Sequence, residues 1–319
     1  MKEISVIIPV YNEEKNIPVI YDRLCAVLMP LVQNRFELIF VNDGSRDGSI
    51  ALIKELSQRD KNVGFIDFSR NFGHQIAVSA GIDMARGSKI VIIDADLQDP
   101  PELIADMHKK SAEGYEVIYA RRKNRKGESW FKKTTAGVFY RILNKITQIE
   151  IPLDTGDFRM IDRKVAEILR SMPEKNKFLR GQISWIGFNQ TFVEYDRDQR
   201  LHGSTGYPFR KMLQFAVTGI TSFSDFPLRF ATIFGFFVSG ISFVVMLFAL
   251  YSRFITRDYQ PGWASIILAV LFIGGVQLIT IGIIGEYIGR LYNDVRNRPL
   301  YVVRETNLSG GTPTKTEYS

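Results

Sequence analysis

The chain has 319 residues, 45% of them hydrophobic, one cysteine, and a formal net charge of +7 from 41 Lys and Arg against 34 Asp and Glu. The length allows one large globular domain and a smaller appendage. The lone Cys25 excludes an internal disulfide and a thiolate-ligated metal, which makes a reducing compartment the default. The basic balance points to an anionic partner: nucleic acid, anionic lipid or a phosphorylated substrate.

In chain order, strand-length apolar runs alternate with amphipathic segments of helix length. Ile4–Val10, Phe36–Val41, Val63–Phe68, Ile90–Ile93 and Val117–Tyr119 predict strands. Glu14–Leu28, Asp47–Gln58, Gln75–Ala85 and Pro101–Glu113 predict helices between them. Ile4–Val10 is too short for the apolar segment of a signal peptide and is broken by Pro9. The βαβα order predicts an α/β domain with a mostly parallel sheet and helices on its faces. Two uncharged stretches follow, Phe230–Tyr251 and Trp263–Gly285, each long enough to cross about 30 Å of hydrocarbon at about 1.5 Å per residue. Arg210, Lys211 and Arg229 precede this pair and Arg290, Arg296, Arg298 and Arg304 follow it, while the connecting turn has only Arg253 and Arg257. That bias predicts an integral membrane protein with its large domain and both termini in the cytoplasm. The polar tail from Glu305 to Ser319 reads as disordered. The expected domains are 1–205 catalytic, 206–228 juxtamembrane, 229–288 two spans (about 230–251 and 263–285), and 289–319 tail.

Ligands of parallel α/β sheets bind outside the carboxyl ends of the strands. Those ends read Pro9-Val10-Tyr11-Asn12-Glu13, Asn42-Asp43-Gly44-Ser45 and Asp94-Ala95-Asp96-Leu97-Gln98-Asp99, so one rim collects Asp43, Asp94 and Asp96. Carboxylates gathered without a counter-charge repel. A divalent cation with oxygen ligands supplies one, and Mg²⁺ or Mn²⁺ commonly bridges carboxylates to substrate phosphates. Helix capping is the competing account. It suits Asp99, ahead of Pro100, Pro101 and Glu102, and Ser45 or Asp47 ahead of the second helix. It does not explain Asp94 and Asp96. No GxGxxG follows the first strand and no Walker A pattern occurs, so dinucleotide and P-loop sites lack their phosphate cradles. His74, His108 and His202 are scattered, which argues against zinc.

The segments IIPVYNEE, VNDGSRDGS, IDADLQDPPE and DTGDFRMID, in that order, resemble the inverting glycosyltransferases of family 2, with the Rossmann-like GT-A fold. The chain is most similar to polyprenyl-phosphate glycosyltransferases, the bactoprenol glucosyltransferases and dolichol-phosphate mannose synthases. The resemblance implies transfer of a hexose, glucose from UDP-glucose first and GDP-mannose or another UDP sugar as alternatives, onto undecaprenyl phosphate. It also implies roles. Pro9, Tyr11, Asn12, Glu13, Asp43, Asp94 and Arg121 would bind the nucleotide sugar; Asp94, Asp96 and Gln98 would hold the metal. Asp157 and Arg200 would be catalytic, and Arg122, Lys132, Lys133 and Arg200 would meet the lipid phosphate. Where such enzymes commonly carry Gly-x-Ser-Lys-Tyr, this chain reads Gly203-Ser204-Thr205-Gly206-Tyr207, without the lysine.

The acceptor side also has a pattern of its own. A basic run from Arg121 to Lys133 leads into Trp130, Phe131, Val138, Phe139, Ile142, Leu143 and Ile146 at near-helical spacing, and Tyr207–Phe223 is similar. Both predict interfacial amphipathic helices, the alternative for the first being a solvated charged loop followed by an ordinary core helix. The alternatives are a processive polysaccharide synthase, which lacks its Gln-x-x-Arg-Trp here, and a non-catalytic membrane-anchored nucleotide-binding scaffold. A nucleic-acid partner is not expected, because the basic cluster abuts a hairpin and no recognition motif is present. Gly235, Ser239, Gly240, Gly274 and Gly275 permit close helix packing and hence a homo-oligomer.

Overall fold

The computed structural model describes residues 2–123, 155–195, 226–251, 255, 262–296 and 298–308. Lys132, Lys133, Arg200 and the two predicted interfacial segments beyond Lys123 and Tyr195 lie outside the described residues. Elements follow in the order β1 (Ile4–Val10), α1 (Ile17–Val32), β2 (Phe36–Asn42), α2 (Ser49–Arg59), β3 (Val63–Phe68), α3 (His74–Met84), β4 (Lys89–Ile92), α4 (Leu103–Ala112) and β5 (Val117–Arg122). Then come β6 (Thr155–Asp162), α5 (Arg163–Ser171), α6 (Leu179–Ile186), β7 (Gln190–Tyr195), α7 (Phe226–Tyr251), α8 (Trp263–Val295) and β8 (Val303–Thr306). The described residues form two units, 2–123 with 155–195 and 298–308, and 226–296.

In the first unit eight strands form one sheet in the order β7-β5-β6-β4-β1-β2-β3-β8. β4, β1, β2 and β3 are mutually parallel; β6 runs antiparallel between β4 and β5, and β8 antiparallel beside β3. Every residue of β1 and β2 is buried, as a strand covered on both faces requires. Successive side chains take opposite faces. Ile4, Val6, Ile8 and Val10 pack with the Ile17, Ile20, Leu24, Leu28 and Val32 stripe of α1, while Ile7 joins Ala77, Val78 and Ile82 of α3. Each fully buried aliphatic side chain contributes about 2 kcal/mol through area removed from water. Pro9 would cost a ladder bond inside a central strand. Here Ile7 accepts from Ile93 N on the β4 side, and the β1–β4 register ends at Ile7, so Pro9, two residues on, faces past the last rung. α3 lies close on β1, since a Cβ at Gly81 would stand 2.3 Å from Ile7 Cγ2. That approach fixes the helix whose first residue is His74.

Several features depart from expectation. β6 is a strand where the sequence shows only a motif: Phe158, Met160 and Ile161 are buried, and Asp162 caps α5 by accepting from Lys164 N at 3.1 Å. β8 lies in what reads as the start of a disordered tail. Tyr301 stacks on Phe68 at 5.1 Å and donates to Asp83, and Asn307 bonds Phe65 N and Val63 O, so the polar residues of this stretch satisfy a sheet edge. Asp99 is not the cap of α4. Glu102 holds that position, and Asp99 accepts instead from the hydroxyl of Tyr195.

The second unit consists of α7 and α8, which pack against each other. Pro227–Val245 and Phe272–Val295 are long and apolar enough to cross a membrane by length and composition. Many of their described side chains are exposed, Phe236 at 76% and Leu278 at 72%. α8 continues to Val295, beyond the expected end near 285. A Cβ at Gly235, Gly240, Gly274 or Gly275 would meet nothing within 4 Å, so packing within this chain does not depend on these glycines.

Candidate active site

The strand order reverses between β1 and β4, and open α/β sheets bind ligands at such a switch point, beyond the strands' carboxyl ends. A cavity of about 400 Å³ lies there, lined by Pro9, Tyr11 and Glu13 after β1, Asp43 after β2, Asn71, Gly73 and His74 after β3, and Asp94 and Asp96 after β4. Six predicted residues therefore meet: Pro9, Tyr11, Glu13, Asp43, Asp94 and Asp96.

The loop after β2 is held rigidly. Gly44 has φ +67°, and a Cβ there would lie 2.5 Å from Arg70 C and Asn71 N, so only glycine fits. Asp43 is buried and its carboxylate accepts from Phe72 N at 2.7 Å and Gly73 N at 3.0 Å. Burial pushes its carboxyl up from the ordinary value against the pull of those two N–H groups. Asp43 thus shapes the loop that leads into α3. Asn12, at φ 58°, accepts from Arg46 N at 2.8 Å and stands beside the cavity rather than in its lining.

The loop after β4 carries Asp94, Asp96 and Gln98. Leu97 has φ 59°, a conformation that costs a bulky residue free energy and that clusters at functional sites. Asp96 accepts from Gln98 N at 3.2 Å. Gln98 is buried outside the cavity lining, and its Oε1 has no partner among the described residues.

Asp157, on β6, faces these acids with its charge already matched. Its Oδ1 accepts from Arg180 Nε at 2.9 Å and from Arg159 Nη2 at 3.2 Å, and its Oδ2 lies 3.8 Å from His74 Nδ1. Burial alone would raise the carboxyl's pKa, but Arg180, Arg159 and His74 outweigh it and hold the group well below the usual carboxylate range. Arg159 is fully buried, donates also to Gly156 O and Asp157 O, and lies over the Tyr119 ring. His74 Nε2 is 2.8 Å from Asp94 Oδ1; burial would lower the imidazole's pKa, and the bond and charge of Asp94, aided by Asp157, raise it to about 9.

Arg121 is not drawn into the cavity. It pairs with Glu194 and stacks on Phe192 at 3.3 Å from the ring centroid, both on β7. Arg122 ends β5 next to it. His74 and Arg180 carry no role in the sequence reading. The strand-end rule, applied to β3 as to the others, would have pointed at Asn71–His74. Arg180 has no local signal, because α6 reaches Asp157 from 23 residues away along the chain.

The donor set suits a divalent cation. One atom from each of His74, Asp94 and Asp157 lies within 4.8 Å of the others, Asp96 is on the same wall, and Gln98 holds an orphaned carbonyl-type oxygen nearby in the chain. Carboxylate and amide oxygens with at most one imidazole fit Mg²⁺ or Mn²⁺.

The chain is similar to known proteins. YkcC, an uncharacterized glycosyltransferase of Bacillus subtilis (strain 168), is 53% identical over 302 residues, covering 95% of this chain and 93% of its own length. The SfII prophage-derived bactoprenol glucosyl transferase of Shigella flexneri is 40% identical over 305 residues, covering 96% and 98%. Among solved structures, glucosyl-3-phosphoglycerate synthase from Mycobacterium tuberculosis in complex with Mn²⁺, uridine diphosphate and glucosyl-3-phosphoglycerate is similar at a TM-score of 0.45 and 19% identity, covering 69% of this chain and 78% of that one. The family profile of glycosyl transferase family 2 matches residues 5–169, from β1 into α5. That match takes in every wall of the cavity just described, and with relatives aligned over nearly their full length it means that the chain belongs to glycosyl transferase family 2.

Proposed function

We propose that this protein transfers a hexose from a nucleotide sugar onto the phosphate of a polyprenyl lipid at a membrane surface. UDP-glucose and undecaprenyl phosphate are the first pair to test. The observation that carries this reading is a cavity lined by Asp94 and Asp96, with Asp157 grouped beside Asp94 and His74, in a chain 40% identical to a bactoprenol glucosyl transferase. Pro9, Tyr11 and Glu13 wall the nucleotide. Asp94 and Asp96, with Gln98 behind them, would hold Mg²⁺ or Mn²⁺, which when bound offsets charge growing on the leaving diphosphate.

In the transfer, a lipid phosphate oxygen forms a bond to the anomeric carbon as that carbon's bond to the β-phosphate oxygen breaks. The electron pair leaves with the nucleoside diphosphate, and configuration inverts. A phosphate monoester loses its second proton at about pH 6, so the nucleophile is dianionic at neutral pH and no proton need be removed. This agrees with a carboxylate at Asp157 that two arginines keep ionised: it orients rather than deprotonates. Arg122, Lys132, Lys133 and Arg200 are the proposed cations for the lipid phosphate.

Membrane attachment rests on α7 and α8. The sheet takes strands from before this pair and, in β8, from after it. A crossing made by α7 must therefore be reversed by α8, which favours two spans with both chain ends on the catalytic side. The lysine and arginine bias makes that side the cytoplasm.

The test is a screen of labelled UDP-glucose, GDP-mannose and other UDP sugars with the purified full chain, undecaprenyl phosphate and Mg²⁺ or Mn²⁺. The expected result is one donor giving an organic-extractable labelled lipid. Nucleotide binding without lipid product from any donor would favour a non-catalytic scaffold.

A further inference from the structure

Asp157 is gripped from two directions, and the two grips differ in kind. Arg159 sits two residues along the same strand and is itself tied to the carbonyls of Gly156 and Asp157. Its other contacts are to β6 itself and to Tyr119 on the adjacent β5, so it holds Asp157 within the sheet, and among the described residues no bond ties it to the helices on the sheet's face. Arg180 comes from α6. That helix is seated on the α3 face of the sheet through Leu179 and Ile183, and Leu179 N donates to Gln75 Oε1 at 3.2 Å, one residue from His74. The chain of contact from α3 through α6 to β6 therefore joins the element that carries His74 to the carboxylate 3.8 Å from its ring.

We propose that Arg180 is a positioning residue of the transfer reaction. It fixes Oδ1 of Asp157 so that Oδ2 is presented toward His74 on the cavity wall. The proposal rests on the hexosyl-transfer reading above. Its physical content is that a reacting geometry displaced by about 1 Å loses on the order of a hundredfold in rate. A carboxylate held by one local arginine retains its charge but not its place. A lysine at position 180 keeps the charge and loses the planar donor geometry.

The experiment compares wild type, Arg180→Gln and Arg180→Lys as full chains, reading kcat, the KM of donor and acceptor, UDP binding by calorimetry, and thermal melting. The expected outcome is a fall in kcat of about thirtyfold for the glutamine variant and about fivefold for lysine, with UDP affinity within about threefold of wild type in both. An unchanged kcat in Arg180→Gln overturns the proposal. So does UDP binding that weakens in step with kcat, which would make Arg180 a ligand of the donor diphosphate. Equal losses in both variants with equal drops in melting temperature would make its role structural only. If the glutamine variant does not unfold cooperatively, Gln75→Ala replaces it; this removes the Oε1 acceptor that ties α6 to α3 and, with it, a 3.4 Å contact from Gln75 Nε2 to His74 Nδ1. There a kcat fall of about fivefold supports the proposal and an unchanged kcat overturns it. A wild type that binds UDP yet never turns over overturns the function reading and this proposal together; a wild type that turns over isolates the failure to Arg180.

Discussion

The two sides of the cavity are built on opposite principles. The β1–β4 side gathers Glu13, Asp94 and Asp96 on loops at strand ends that line the cavity, with Asp94 meeting the imidazole of His74 and, among the described residues, no arginine bonded to it. The β6 side places Asp157 between Arg159 and Arg180, so that its charge is matched inside the protein before any ligand arrives. On the proposed function, a wall of the first kind would serve binding and leaving-group chemistry. A wall of the second kind serves geometry, and the fold depends on it. Substitutions on the first wall should cost activity and little stability; substitutions on the second should cost both.

The largest expected effect is on the first wall. Asp96→Ala should lower turnover by about a thousandfold, the scale of losing one principal charge-stabilising group, and leave the urea unfolding midpoint near wild type. Turnover assayed with donor and lipid acceptor, beside a denaturant titration, checks both halves. A collapse of stability in this variant would erase the distinction between the walls.

Asp157→Asn is the matching test on the second wall. Removing the carboxylate's charge leaves Arg159 buried without its main counter-ion, which should cost about 3 kcal/mol of stability. Turnover should fall by about a hundredfold, with no recovery as pH rises above neutrality. A loss of several orders that high pH restores would instead make Asp157 a general base. The sign of the pH effect on stability follows from its depressed carboxyl. Its contribution is complete above the unfolded carboxyl's value of about 3.9 and is lost as pH falls through the folded value, so acidification from pH 7 to pH 5 should not touch it.

The same contrast explains what could be read from the sequence. The first wall was legible because β1, β2 and β4 are continuous apolar runs whose ends carry their acids within a few residues. Strand and site are there written in the same local segment. The second wall was legible only as the motif around Asp157. β6 is antiparallel and interrupted by the charged Arg159, whose burial depends on Tyr119 and Asp157 rather than on hydrophobicity. α6 offers no capping or charge signal, and Arg180 becomes meaningful only when the sheet brings β6 beside it. Tyr301 and Asn307 were missed for a related reason: they stabilise an edge strand by hydrogen bonds to partners more than two hundred residues away.

Asp43 is where the comparison could break. It lies on the first wall, yet both of its oxygens serve Phe72 and Gly73 N–H groups. Asp43→Asn should therefore behave like the second wall, since an amide can accept from one of these N–H groups but its NH₂ end opposes the other. The expected cost is about 2 kcal/mol in the unfolding midpoint, with a smaller loss of donor binding. Because burial raises this carboxyl, the pH effect has the opposite sign to that of Asp157: stability attributable to Asp43 falls as pH rises through its folded value. Donor affinity lost with stability intact would return Asp43 to the ligand-facing group.

The smallest effect comes from a site remote from both walls, and it decides how the others are interpreted. Tyr301 stacks on Phe68 and its hydroxyl donates to Asp83 at 2.9 Å, holding the segment that becomes β8. Tyr301→Phe keeps the stack and removes one hydrogen bond, leaving Asp83 short of a partner in a half-buried setting, so the expected loss is about 1 kcal/mol. Turnover should not change, because β8 lies at the β3 edge, on the far side of β2 and β3 from the β1–β4 crevice. The variant thereby tests whether modest destabilisation by itself slows the enzyme. Unchanged turnover would mean that the double loss expected at Asp157 belongs to that carboxylate's place in the site. A parallel fall in turnover would mean that the sheet transmits strain from its edge, and the two walls would then have to be treated as one cooperative structure.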